Sequence, residues 1–282
     1  MSQRWSLASL HLTVLLFGGA GLFGRWLSVS PWMMVFGRTL FAAIALALCL
    51  RWLRRPAASA LDWRWAAQAG GCLALHWVTF FQAIQVGGVA AGLLGFAAFP
   101  ACVVVLDSLR QRCWPSAQSL GMVALVSLGL VLVTPLDAGG SAVRLGVLWG
   151  ALSALLFAVL VLLNRQAAGH DPLRTAGWQN TAAALWLLPM AWPELPGLSR
   201  YDWLGLALLG VVFTALAHAL FLLSLRRLSA QRVAVVTALE PVYGMLFAWL
   251  LFADVPSGQM LLGGAVIMLA TTWASWRDGE AG

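Results

Sequence analysis

Apolar runs of about twenty residues with few charges follow one another along this chain, separated only by short polar or arginine-bearing segments. Roughly 20 apolar residues carry a helix across the hydrocarbon of a bilayer. Reading the runs between charges and turn residues places helices at 7–27, 32–53, 64–85, 88–109, 117–135, 145–163, 175–192, 203–225, 232–253 and 258–276. Ten such spans consume nearly all of the 282 residues and leave no length for a soluble domain. Only 10% of the residues are charged, against roughly 25% in soluble domains. The expected fold class is an all-α integral membrane protein. The first run lacks a small-residue cleavage site and nine more follow it, so it is read as a helix and not as a signal peptide.

Arginine distribution gives the spans a direction. The chain has no lysine, and its net charge of +7 rests on arginine. Loops on one side of the ten-span arrangement carry Arg4, Arg51, Arg54, Arg55, Arg64, Arg110, Arg112, Arg165, Arg174, Arg226, Arg227, Arg232 and Arg277. The other side has Arg25, Arg144 and Arg200. Positive charge is retained on the cytoplasmic side of membranes, so both termini are expected there. Trp5, Trp26, Trp32, Trp52, Trp63, Trp114, Trp203 and Trp276 fall near helix ends, as an interfacial belt requires. Membrane lipids are therefore the expected partners of the basic ends. No basic stripe with interleaved aromatics points to nucleic acid.

Several kinds of chemistry find no support. Cys49, Cys72, Cys102 and Cys113 are scattered, form no CxxC pair and have no ligand neighbours, so buried structural thiols are expected, with no metal and no disulfide frame. The glycines Gly18, Gly19, Gly21 and Gly24, and the pair Gly87-Gly88, lack the following Lys-Ser/Thr of a nucleotide loop. They suit close helix packing or hinge bending. An intramembrane enzyme or a lipid scramblase is the remote alternative, no compact Ser/His set or metal pair supporting the first, and no cofactor is expected beyond a proton as coupling ion.

The halves of the chain resemble each other at an offset of about 141 residues. Pro100 and Pro115 are spaced as Pro241 and Pro256 are, and Pro115-Ser116-Ala117-Gln118 answers to Pro256-Ser257-Gly258-Gln259. Asp62-Trp63 matches Asp202-Trp203, and His76 and His218 hold nearly equivalent places. These correspondences divide the chain into repeats at 1–141 and 142–282. Five spans per repeat force the second to enter the membrane in the opposite sense. Inverted repeats of this kind mark secondary transporters, whose halves exchange conformation to give alternating access.

The order and spacing of these motifs resemble the drug/metabolite transporter superfamily, EamA type. The resemblance rests on Pro31 with Arg38, the run His76-Trp77-Val78-Thr79-Phe80-Phe81-Gln82-Ala83-Ile84, Phe99-Pro100 with Asp107, and Glu240-Pro241 through Asp254 and Pro256. Two departures are Cys113, where the first half would carry an acidic residue matching Asp254, and Phe17-Gly18-Gly19 in place of a tryptophan-glycine pair. The resemblance implies ten helices and transport of small metabolites across the bacterial inner membrane, commonly export of amino acids. It also implies a central cavity lined by helices 1–4 and 6–9, with helices 5 and 10 outside, and no enzyme activity. An uptake carrier or a multidrug exporter for cationic metabolites is the alternative, and monomer and homodimer both remain open.

A charged side chain at mid-membrane costs about 2.5–3.5 kcal/mol on insertion scales, so it faces a cavity or a partner. Arg38 is either an anion anchor or gating group, or a clamp on helix-end carbonyls. Glu240 precedes Pro241 and suits an ammonium group or a proton, with a buried arginine pair as the alternative. His76 and His218 titrate near neutral pH in water and are candidates for proton coupling or for packing. Trp77, Phe80, Phe81, Trp178 and Tyr243 are candidates for an apolar or cation–π wall. Gln82, Gln179 and Asn180 bond either substrate or neighbouring helices. Asp107 lies beside Arg110 and Arg112 and suits a peripheral salt bridge.

Overall fold

A computed structural model describes residues 3–54, 62–96, 98–133, 140–253, 255 and 258–277. Asp254, Pro256 and Ser257 lie outside the described residues, as does the side chain of Trp276. Among the described residues there is no strand, and helix makes up most of each stretch expected to be helical. In chain order the helices are α1 (Gln3–Ala20), α2 (Phe23–Trp26), α3 (Pro31–Trp52), α4 (Trp63–Phe96), α5 (Phe99–Gln111), α6 (Ala117–Val133) and α7 (Ser141–Gln166). There follow α8 (Pro172–Ala191), a 3₁₀ turn (Trp192–Gly197), α9 (Arg200–Gly210), a π-helical segment (Val211–Leu216) and α10 (Ala217–Leu225). The last are α11 (Ala230–Thr237), α12 (Glu240–Phe252) and α13 (Gly258–Arg277).

Local chemistry sets these ends. The Ser30 hydroxyl accepts the Met33 N–H at 3.1 Å and caps α3, with Pro31 filling a first-turn position that needs no N–H. Asp171 caps α8 in the same way, accepting from Leu173 and Arg174. Ser199 and Asp202 form a reciprocal capping box at α9. The Ser30 hydroxyl also donates to Glu194 of the 3₁₀ turn, and the Ser30 N–H donates to the same carboxylate at 3.2 Å, which ties the two halves together at one end.

Two predicted spans prove broken at repeat-related places. The span 88–109 is divided between the end of α4 and α5, which begins at Phe99-Pro100. The span 232–253 is divided between α11 and α12, which begins at Glu240-Pro241. Proline lacks the N–H an interior position would use but fits the first turn of a new helix, so each proline starts a helix. A further break lies within α4, where Gly88 has φ +83°, a conformation that only glycine adopts at little cost.

Among the described residues, four segments are long and apolar enough to cross a membrane by length and composition, namely Pro31–Trp52, Ser141–Gln166, Arg200–Leu225 and Ala230–Leu251. The outer face is apolar. Leu48, Leu148, Leu185 and Leu250 are all exposed, an arrangement that suits lipid and not water. Trp5, Trp52, Trp63 and Trp114 are exposed near helix ends. Lipid gives no hydrophobic gain to helix–helix contact, so packing relies on small residues that let backbones approach. A Cβ on Gly87 would meet the Gly146 Cα at 2.7 Å, and one on Gly95 would meet the Val147 carbonyl oxygen at 2.1 Å. These approaches weld α4 to α7. α6 and α13 pack against each other through Gly129 and Ile267.

Candidate functional site

A cavity of about 40 Å³, room for about three water molecules, lies between α1, α3, α4, α7, α10 and the start of α12. Its polar lining is Arg38, His76, His218 and Glu240, and its walls are aromatic. Expected helices 1–4, 6, 8 and 9 contribute lining residues, while α8, under the seventh span, stands behind them.

Arg38 has 2% of its surface exposed. Its guanidinium lies 3.8 Å from the ring centroid of Trp77, a cation–π contact. Its Nε–H donates to the Thr214 hydroxyl at 3.0 Å. Thr214 in turn donates its proton to the Leu209 carbonyl at 2.8 Å, a bond five residues back that the π-helical segment permits. Gly210 holds the two helices close, since a Cβ there would stand 2.8 Å from the Arg38 carbonyl oxygen. The terminal guanidinium N–H groups are left to the cavity. Arg38 and Glu240 face the same space, yet no direct ion pair joins them among the described residues. The expected alternative of a buried Glu240–arginine pair is met only as two charges sharing one cavity, without a salt bridge.

Thr214 thus acts through Arg38. Thr214→Val keeps the shape, removes the hydroxyl and leaves the Nε–H of a buried cation without its acceptor. We expect transport efficiency to fall about 10-fold, consistent with the roughly 1.5–3 kcal/mol of a hydrogen bond to a charged group. Thr214→Ser restores most of it in the same flux assay.

The histidines are anchored on the sides facing away from the cavity. His76 Nδ1 is 2.8 Å from the Ser153 hydroxyl and 3.1 Å from the Ser153 carbonyl. Its ring stacks on Phe157, centroids 4.5 Å apart. His218 Nδ1 is 3.0 Å from Asn180 Nδ2, and the edge of Trp77 meets its ring. Phe80, Phe96, Phe157 and Phe221 complete the wall.

The other candidates fall elsewhere. Gln179 is fully buried and bonds Asn164 on the neighbouring helix, so its amide does not line the cavity. Tyr243 is half-buried and packs against Gly18, outside the cavity lining. Trp178 is exposed on the outer face. Asp107 lies 3.9 Å from Arg110, a loose pair away from the cavity. Phe96, Phe157 and Phe221 carry no signal in the sequence, because an isolated phenylalanine in an apolar run has no periodic mark, and Phe17 stands out there only as a departure from the family's tryptophan-glycine pair. Thr214 was missed for a similar reason, since nothing local announces a π segment. A second cleft of about 200 Å³ lies between α5, α6 and α11, lined by Ser116, Gln118, Ser119, Ser229, Gln231 and Arg232. It holds no carboxylate and does not reach the four polar residues.

An all-helical body with an apolar exterior and a charged interior defines a membrane protein with several crossings. The EamA-like transporter family matches residues 4–134 and 144–276, and the chain belongs to that family, within the drug/metabolite transporter superfamily. It is 27% identical over 282 residues to an uncharacterized transporter of Archaeoglobus fulgidus, covering 98% of both chains. It is 25% identical over 244 residues to the uncharacterized transporter YxxF of Bacillus subtilis, covering 83% of this chain and 78% of the relative. A solved crystal structure shares the fold at a TM-score of 0.79 and 17% identity, covering 97% of this chain and 98% of that one. The protein is a transmembrane transporter.

Proposed function

We propose that this transporter carries small zwitterionic metabolites, amino acids first, outward across the inner membrane of a bacterial cell. In this reading the ten spans cross the bilayer as two inverted five-helix repeats, 1–141 and 142–282, with both termini cytoplasmic. Substrate binds between the halves and is released by their rocking, with a proton as coupling ion. The observation that carries the reading is the charge arrangement of the cavity. Arg38 and Glu240 face one space without a salt bridge between them among the described residues. A guanidinium fork suits a carboxylate, and a carboxylate suits an ammonium group. With room for about three waters, the cavity as seen is too narrow for an amino acid and must widen to admit one.

A second reading follows from the aromatic wall. Trp77, Phe80, Phe96, Phe157 and Phe221 line the same cavity as the Glu240 carboxylate, a setting that also suits an organic cation. Flux of labelled leucine in proteoliposomes separates the two, with leucinamide and 4-methylpentanoate as competitors. The zwitterion reading expects saturable leucine flux that responds to an imposed proton gradient, with both blocked analogues competing at least about 10-fold more weakly, the equivalent of one lost charge-assisted contact. Equal competition by leucinamide favours the cation carrier instead. Glu240→Gln keeps the side-chain volume and removes the charge. It is expected to lower leucine flux on the order of 10- to 100-fold and to abolish the response to the gradient.

A further inference from the structure

His76 and His218 hold nearly repeat-related positions and line the same cavity, but their anchoring bonds differ in kind. The Ser153 hydroxyl donates its only proton to the His76 carbonyl at 2.9 Å. Toward the ring it can therefore only accept, and the Ser153 carbonyl 3.1 Å from Nδ1 is also an acceptor. The proton of this anchor must sit on His76 Nδ1. With one proton per ring, His76 Nε2 is bare.

At His218 the logic runs the other way. Asn180 Nδ2 lies 2.8 Å from the Ala176 carbonyl, which can only accept, so the amide nitrogen and not its oxygen faces that side. Turning the amide over would set two acceptors against each other. The second Nδ2 proton then points at His218 Nδ1, 3.0 Å away. Nδ1 accepts, and the ring proton sits on Nε2. Neither Nε2 has a partner among the described residues, and neither is among the sealed-off polar atoms, so both open onto the cavity their rings line. Ser153 and Asn180 both stand outside the cavity lining, which puts the anchored edges away from it.

We infer that the two histidines are a donor–acceptor pair of opposite hydrogen polarity, His76 offering the cavity an acceptor and His218 a donor, for a ligand that carries both an ammonium and a carboxylate group. The inference rests on the zwitterion reading for its ligand but not for its tautomers. An ammonium N–H finds acceptors at Glu240 and His76 Nε2, and a carboxylate finds donors at Arg38 and His218 Nε2. The polarity refines what charge alone selects. A carboxylate set against bare His76 Nε2 meets a lone pair, and an ammonium set against His218 meets a proton, so the two orientations of a zwitterion are not equivalent. The asymmetry has a local origin, serine behind one ring and asparagine behind the other.

The test is ¹⁵N NMR of ring-labelled histidine in purified protein in lipid nanodiscs. The chain has four histidines, and the double variant His11→Asn/His170→Asn removes the two that do not line the cavity. Protonated and bare ring nitrogens resonate in separate ranges, and ring-to-backbone correlations assign each ring. The expected spectrum contains one Nδ1–H ring, His76, and one Nε2–H ring, His218, and adding leucine moves both Nε2 signals. Two rings of the same tautomer, or a doubly protonated ring at neutral pH, overturn the inference. So do opposite tautomers that do not respond to leucine in a preparation that transports it. Opposite tautomers in a protein that carries no amino acid would count against the zwitterion reading and leave the hydrogen polarity standing.

Discussion

Arg38→Met lowers transport efficiency on the order of 100-fold and leaves the folded protein at least as heat-stable as the wild type. The first half follows from what the guanidinium offers. It is buried, it stacks on Trp77 and its Nε is held by Thr214, so its two terminal nitrogens are oriented before substrate arrives. Removing one partner of a desolvated charge pair costs about 2–5 kcal/mol, and every 1.4 kcal/mol is about tenfold. The second half separates a site from a clamp. A buried cation without a salt bridge carries a desolvation penalty, so replacing it by an uncharged apolar side chain of similar length is neutral or stabilising. A residue that only clamped helix ends would lose stability and transport together. Arg38→Lys keeps the charge but not the planar fork or the Nε bond, and is expected to lose about 10-fold, since the two cations are not interchangeable at a stacked, bidentate site. Flux in proteoliposomes and melting in detergent, measured on the same preparations, check both halves.

Gly95→Leu has the largest expected effect on stability. A Cβ at Gly95 would lie 2.1 Å from the Val147 carbonyl oxygen and 2.8 Å from the Ala151 nitrogen. These are backbone atoms, which cannot swing aside as a flexible side chain would. The α4–α7 seam must open, so the loss exceeds the roughly 1–3 kcal/mol of ordinary overpacking and reaches about 3–5 kcal/mol. Little monodisperse protein should be recovered after extraction. Gly169→Ala is the control. Apart from its chain neighbours, no atom of the described residues lies within 4 Å of a Cβ there, and its stability should match wild type within about 0.5 kcal/mol.

The all-helical fold was legible because lipid simplifies the code. A segment that must satisfy its own backbone groups and face hydrocarbon reads as an uncharged apolar run. The cavity's charged and ring-nitrogen groups were legible for the same reason, since Arg38, His76, His218 and Glu240 are costly in such runs and stand out against them. The breaks before Phe99 and Glu240 were half-visible in Pro100 and Pro241, whose missing N–H makes each a start position as well as an interruption. Neutral polar residues were harder. Gln179 and Asn180 are neighbours in sequence, yet one bonds Asn164 and the other anchors His218, a division set by which face of α8 meets which helix. Thr214 was invisible, because its role needs both the π segment and the arrival of Arg38 from another helix.

The most direct test of the account is whether the cavity opens in turn to both sides of the membrane. Ala20 lines it and is small, so Ala20→Cys in a background without Cys49, Cys72, Cys102 and Cys113 places one thiol at the centre. Membrane-impermeant maleimide is applied to right-side-out and inside-out vesicles, with and without leucine. The account predicts labelling from both faces and protection by leucine. Labelling from one face alone, or none from either, with leucine without effect, would contradict the claim that substrate passes through this site.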